Sequence, residues 1–202
     1  MNWLTHFFTG YALARLLGYK HDDFKTFYIS LSCTIPDFDF LFIPFIPHGT
    51  WTHTIAFGSF LTLVYIFVFS VVLKKMPDIQ FPGFRFLFMF AFLGFGIHLF
   101  QDIFTYLKSD CNTTIAHLYF YPISNASYHM NCLWQGIEYW HRIVIEYVYF
   151  IPLMGVVLYR WKKYNENPLD MLRKKNWIKN AGKSSIMPFQ RRSSCFIGLK
   201  IY

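Results

Sequence analysis

Two stretches constrain this chain more than anything else in it. Trp51–Leu73 (WTHTIAFGSFLTLVYIFVFSVVL) and Phe84–Tyr106 (FRFLFMFAFLGFGIHLFQDIFTY) are each almost wholly apolar, and roughly 20 such residues suffice to cross a bilayer as a helix. A backbone in lipid must satisfy its own hydrogen bonds, so spanning segments of this length are helices. His141–Trp161 reads as a third span, with Glu146 as its one misfit. Trp3–Leu17 and Phe24–Pro36 are shorter apolar runs that read as partly inserted helices. The stretch FDFLFIPFIP, residues 38–47, holds Pro44 and Pro47 and reads as a broken or re-entrant segment, tolerable at membrane depth only where protein or water covers its backbone. The expected fold is therefore all-α: a polytopic helical membrane protein with about five membrane-inserted segments. Composition agrees, since 54% of the 202 residues are hydrophobic, 22% are aromatic and only 15% are charged.

The charge is segregated. Of 19 Lys and Arg, 11 lie between Arg160 and Lys200, against two acids there, Glu166 and Asp170. We divide the chain into a membrane-embedded domain, residues 1–161, and a basic tail, residues 162–202, expected to be mostly disordered with a short helix around Pro168–Ile178. Basic residues beside apolar spans mark the cytoplasmic side and meet anionic lipid headgroups, so no nucleic-acid partner is expected. With the tail inside, Lys20, Lys25, Lys74, Lys75 and Arg85 also fall at the inner side, and only Lys108 and Arg142 are left outside. The N-terminal twenty residues lack a basic leading region and carry His6 and Arg15, unlike a secretory signal.

That topology, set from Lys and Arg alone, gathers His6, Asp37, Asp39, His48, His53, His98 and Asp102 at the outer face. His98 and Asp102 are four residues apart on a helix, hence on one face. Asp37 and Asp39 flank Phe38 just after Pro36, where an extended or turn geometry points both carboxylates to one side. His48 belongs to the Gly49 loop, and His53 to the first turn of the next helix. Taken singly, each has an ordinary structural reading as a hydrogen-bonded histidine or a helix cap. Taken together they do not, because an ionised group at the centre of a membrane helix costs about 2.5–3.5 kcal/mol on insertion scales. Imidazole and carboxylate without thiolate suit zinc, with manganese or iron as alternatives, in one or two ions. His21, His117 and His129 carry no such signal. His141 and Glu146 are five apart and off one face, and Arg15 and Glu146 are candidates for a structural charge pair across helices. The four cysteines form no CxxC pair, while Cys111 and Cys132 fall in one connecting loop and could form a disulfide if that loop meets an oxidising compartment, though spacing alone does not fix the geometry. There is no GxSxG, glycine-rich phosphate loop or HExxH.

The ordered motifs THFFTGYALA, PDFDF, HGTWTHT and HLFQDIFT, with LYFYP at residues 118–122, resemble a family. It is the bacterial and archaeal family of predicted membrane-bound metal-dependent hydrolases, which includes a LexA-regulated inner-membrane branch. That family is in turn remotely similar to the zinc-dependent phospholipase C and single-strand nuclease superfamily. The resemblance covers about residues 1–125. It implies that His6, Asp37, His53, His98 and Asp102 ligate metal, that His48 belongs with them, and that Asp39 is a catalytic base or an orienting carboxylate. Gly49 and Thr54 depart from the arginine and serine common in the family, and His141 with Glu146 does not reproduce the third-metal signature of the remote superfamily.

The sequence thus reads as an inner-membrane, multi-pass, metal-dependent hydrolase. Its site faces outward, its tail is cytoplasmic, and a metal-activated water attacks a small or lipid-like phosphoester. The alternative is a non-catalytic metal-binding or transport protein using the same cluster.

Overall fold

The apolar run after His53 begins its helix where the sequence supplies a cap. The Thr54 hydroxyl accepts from the Phe57 amide at 3.1 Å, closing the first turn of a helix over Ile55–Lys74. The computed structural model describes residues 3–19, 22–42, 51–79, 81–105, 120, 122–123, 139–173 and 176–178. Among them every regular element is helical: α1 (Trp3–Leu16), α2 (Asp23–Ser32), a 3-10 segment (Ile35–Phe42), α3 (Ile55–Lys74), α4 (Phe84–Thr105), α5 (Tyr139–Tyr164) and a second 3-10 segment (Pro168–Leu172).

Length and polarity separate these helices. The 20 residues of α3 and 22 of α4 reach about 30 Å, the thickness of a hydrocarbon core. Both are long and apolar enough to cross a membrane. Phe60, Leu63, Phe67 and Val68 of α3 are exposed, whereas Thr62 and Tyr65 face the protein. An apolar exterior over a more polar interior suits lipid rather than water. With 14 and 10 residues, α1 and α2 extend only about 21 and 15 Å. The 26-residue α5 is long enough but carries Arg142, Glu146, Arg160, Lys162 and Lys163, and does not match the apolar character of the other two. Two helices, then, have the make-up of full spans among the described residues, where five inserted segments were expected.

The helices alternate in direction. Arg15 at the end of α1 is within ion-pair distance of Asp23 at the start of α2 (3.6 Å) and of Glu166 beyond α5 (3.7 Å), and Arg160 grips Glu166 through two nitrogens. Arg15 thus pairs across helices, but with Asp23 and Glu166 rather than with Glu146. It is reached there because α5 brings its far end, not its start, to the end of α1. Lys74 and Arg85, at the adjoining ends of α3 and α4, lie at this same end of the bundle. His6, the end of α2, the start of α3 and the end of α4 lie at the other.

Aromatic packing holds the centre. Phe24, Tyr28, Ile29, Tyr65, Ile66, Leu87 and Phe90 form one buried cluster. Its two tyrosine hydroxyls are satisfied by backbone carbonyls: Tyr28 donates to Leu87 at 2.7 Å and Tyr65 to Tyr28 at 2.9 Å. Two glycines set how closely the helices meet. A β-carbon at Gly10 of α1 would lie 2.6 Å from the Ile29 carbonyl oxygen, and one at Gly94 of α4 would lie 2.6 Å from Ser32 Cβ and 2.9 Å from the Cys33 nitrogen. Residues past 161, expected to open a tail, continue the packing as far as Trp177. Met171 is buried against Tyr11 and Val157, and Trp177 meets Phe24 edge-on and Phe27 at a tilt while its indole donates to the Met171 carbonyl.

Candidate metal centre

Four separate elements deliver the ionisable groups to one point. α1 supplies His6, the 3-10 segment supplies Asp37, the turn before α3 supplies His53, and one face of α4 supplies His98 and Asp102. All five are buried, the histidines almost completely. The Asp102 carboxylate is central. Its Oδ2 lies 3.2 Å from His53 Nε2 and 3.0 Å from His98 Nε2, and its Oδ1 lies 3.2 Å from His6 Nε2. His53 and His98 present their Nε2 atoms to each other at 3.2 Å. Asp37 Oδ1 is 3.7 Å from both. The His6 and His98 rings stack at 3.7 Å.

Hydrogen bonds on the far side of the rings decide what the Nε2 atoms carry. His98 Nδ1 is 2.8 Å from the Cys33 carbonyl oxygen, which can only accept, so Nδ1 carries a proton and, in the neutral ring, Nε2 is the lone pair. His6 Nδ1 is 2.9 Å from Gln101 Oε1. The orientation of that amide is set in turn, because Gln101 Nε2 donates to Thr9 Oγ1 at 2.9 Å and Thr9 passes its own proton to the Thr5 carbonyl. In the neutral ring His6 Nε2 is likewise the lone pair, fully buried with Asp102 Oδ1 at 3.2 Å. With neutral rings, lone pairs of nitrogen and carboxylate oxygen face one another at contact distance, an arrangement that calls for positive charge between them, from a cation or from protons on the rings.

A metal ion fits that requirement. Two combinations of donors, His53 with His98 and Asp102, and His6 with Asp37 and His98, have ligand atoms within 4.8 Å of one another. The first makes a triangle with sides of 3.2, 3.2 and 3.0 Å. Donors at this spacing would hold a divalent ion such as zinc, which takes imidazole and carboxylate ligands.

Of the residues that the sequence singled out, five therefore meet: His6, Asp37, His53, His98 and Asp102. Asp39 takes a different position. A 3-10 helix turns about 120° per residue, so Asp37 and Asp39 diverge rather than share a side. Asp39 Oδ2 accepts from the Thr52 hydroxyl at 2.8 Å, and that hydroxyl lies 3.0 Å from His53 Nδ1. His53 itself precedes its helix, since Thr54 is the cap. His48, His21, His117, His129, Cys111 and Cys132 lie outside the described residues, as does the side chain of His141. Sequence reasoning passed over Thr52, Gln101 and the Cys33 carbonyl, which hold the imidazoles from behind. The available signal was a threonine and a glutamine placed directly beside His53 and Asp102 in otherwise apolar runs.

Fold and site together define a class: a helical membrane protein with a buried histidine and aspartate cluster at one end of its bundle, able to hold a metal ion. The sequence model of the YdjM inner membrane protein family matches residues 1–170, and the chain belongs to that family. No curated protein and no solved structure matches the chain.

Proposed function

We propose that this chain is a membrane-bound metal-dependent hydrolase acting on a phosphoester, small or lipid-linked. The observation that carries the reading is the convergence of bare imidazole nitrogens on the Asp102 carboxylate, with tautomers held from outside the cluster. His53, His98 and Asp102 would hold one divalent ion, and His6 and Asp37 extend the donor set towards a second. Zinc suits imidazole and carboxylate best, with manganese or iron as alternatives. When bound, such an ion supplies Lewis acidity, polarising a phosphoryl oxygen and acidifying a water. The protein's own part is to keep the donors at fixed spacing in a buried site. Asp37 Oδ1 stands 3.7 Å from both His53 and His98, farther than Asp102 at 3.2 and 3.0 Å, and would complete the donor set.

The proposal includes a topology. The site end faces outward, and the opposite end, with Lys74, Lys75, Arg85 and the basic tail, meets anionic headgroups on the cytoplasmic side. About five segments enter the membrane, with α1 and α2 paired and too short to cross alone. The separation of the cluster from the basic ends of α3 and α4 supports this orientation.

The test is elemental analysis and phosphodiesterase assay of the purified protein in nanodiscs, using a chromogenic phosphodiester and a short-chain phospholipid. Stoichiometric metal and hydrolysis, both lost in His98→Ala and Asp37→Ala, are expected. A parent protein that takes up no divalent metal refutes the reading. Stoichiometric metal without hydrolysis of either substrate favours a metal-handling protein instead.

A further inference from the structure

His53 is held by a chain of contacts that its neighbours do not share. His98 leans on a backbone carbonyl and His6 on an amide, but His53 is reached from a carboxylate through a hydroxyl: Asp39 Oδ2, Thr52 Oγ1 and His53 Nδ1, at 2.8 and 3.0 Å. Thr52 and Asp39 are buried, 2% and 1% exposed, so water does not substitute for either contact.

The direction of this chain is forced by what each group can donate. An ionised carboxylate only accepts. The single proton of the Thr52 hydroxyl must therefore point at Asp39. What Thr52 then offers His53 is a lone pair, so Nδ1 must carry a proton and, in the neutral imidazole, the lone pair is on Nε2, facing His98 and Asp102. Were the hydroxyl free to turn, it could donate to Nδ1 instead. The proton would then move to Nε2, into the centre of the cluster, and His53 would no longer offer a donor to a cation there.

We infer that Thr52 is a positioning residue that sets the tautomer and aim of His53, and that Asp39 acts through it rather than on substrate. The two aspartates of PDFD thereby divide the work: Asp37 faces the imidazole nitrogens, and Asp39 orients one ring from behind. The consequence for metal affinity rests on the metal-centre reading above, but the tautomer itself does not.

The experiment separates the two. The protein is labelled with 15N-histidine, reconstituted in nanodiscs and stripped of metal, and the His53 ring nitrogens are assigned by comparison with His53→Asn. The parent is expected to show a protonated Nδ1 and an unprotonated Nε2. In Thr52→Val, nearly isosteric but without a hydroxyl, that single-tautomer signature is expected to give way to a mixed or reversed one, and Thr52→Ser is expected to restore it. Asp39→Asn, which lets the side chain donate to Thr52, is expected to shift His53 in the same sense as Thr52→Val. An unchanged His53 signature in both Thr52→Val and Asp39→Asn overturns the inference. As a second readout, zinc affinity by competition with a chromogenic chelator should fall about 10- to 100-fold in Thr52→Val, the usual range for losing such a support, and recover in Thr52→Ser. A parent that shows the expected tautomer but binds no zinc sinks the metal reading and leaves the positioning role standing. A parent that binds zinc as tightly as Thr52→Val, with the same tautomer, sinks the positioning role alone.

Discussion

Replacing Gly94 with alanine tests whether the site depends on helix spacing rather than on its ligands alone. A β-carbon at this position would lie 2.6 Å from Ser32 Cβ, 2.7 Å from the Ser32 carbonyl carbon and 2.9 Å from the Cys33 nitrogen. Two of these are backbone atoms at the end of α2 and cannot rotate away. Carbon atoms rest at about 3.5–4.0 Å, so α4 must back off from α2 by about 1 Å. His98 lies one helical turn further along the same face of α4, and its Nδ1 is 2.8 Å from the Cys33 carbonyl. A shift of about 1 Å takes that contact beyond hydrogen-bond range. Alanine favours helix over glycine by roughly 1 kcal/mol, whereas overpacking costs about 1–3 kcal/mol and the orphaned buried donor about 1–3 kcal/mol more. The net sign is destabilising. We expect Gly94→Ala to lower thermal stability in nanodiscs and to weaken zinc binding about 10- to 100-fold, although it alters no ligand. Parent-like melting together with parent-like zinc affinity would refute the reasoning that links this close approach to the site.

Four further outcomes follow from particular contacts. Gln101→Leu removes the acceptor of the buried His6 Nδ1 proton and should cost about 1–3 kcal/mol in chemical denaturation, with Gln101→Glu retaining the acceptor and most of the stability. Chelating the metal from protein held at about 100-fold above its dissociation constant should remove about 2.7 kcal/mol of stability, seen as a lower melting temperature that returns on adding zinc; an unchanged melt argues against a bound ion. Glu166→Gln takes a charge from between Arg15 and Arg160. Since Arg15 keeps Asp23 and the Tyr19 carbonyl, we expect a loss of about 1–3 kcal/mol rather than the larger penalty of a stranded buried charge, read by thermal denaturation. Cys33 is fully buried, and only an accessible thiolate reacts, so iodoacetamide at pH 8 should leave Cys33 unmodified in the folded protein and label it after denaturation, as peptide mass spectrometry would show.

The five residues that converge were all legible as candidates, because each is an ionisable group in or beside an apolar run where such a group is costly. The pair on α4 was legible even in geometry, since a spacing of four residues fixes a shared helical face whatever surrounds it. The pair in PDFD was not. Whether two carboxylates two residues apart share a side depends on extended against 3-10 backbone, and that choice is made by the packing of the segment between α2 and α3. The partner of Arg15 was misjudged for a related reason. Charge alone nominates any acid on a neighbouring helix, but only helix direction says which end of α5 arrives.

What this chain's sequence determines by itself is its solvent and its inventory: apolar helices for lipid, basic residues at one end of the bundle, and a short set of histidines and aspartates at the other. These follow from composition and period, which are local properties. The tertiary structure decides which nitrogen of each imidazole carries the proton and how far apart the donors stand. Those depend on contacts between residues far apart in the chain, the Cys33 carbonyl with His98, Gln101 with His6, and Thr52 with Asp39. A hydrogen bond has a direction and a length that a one-dimensional pattern does not encode.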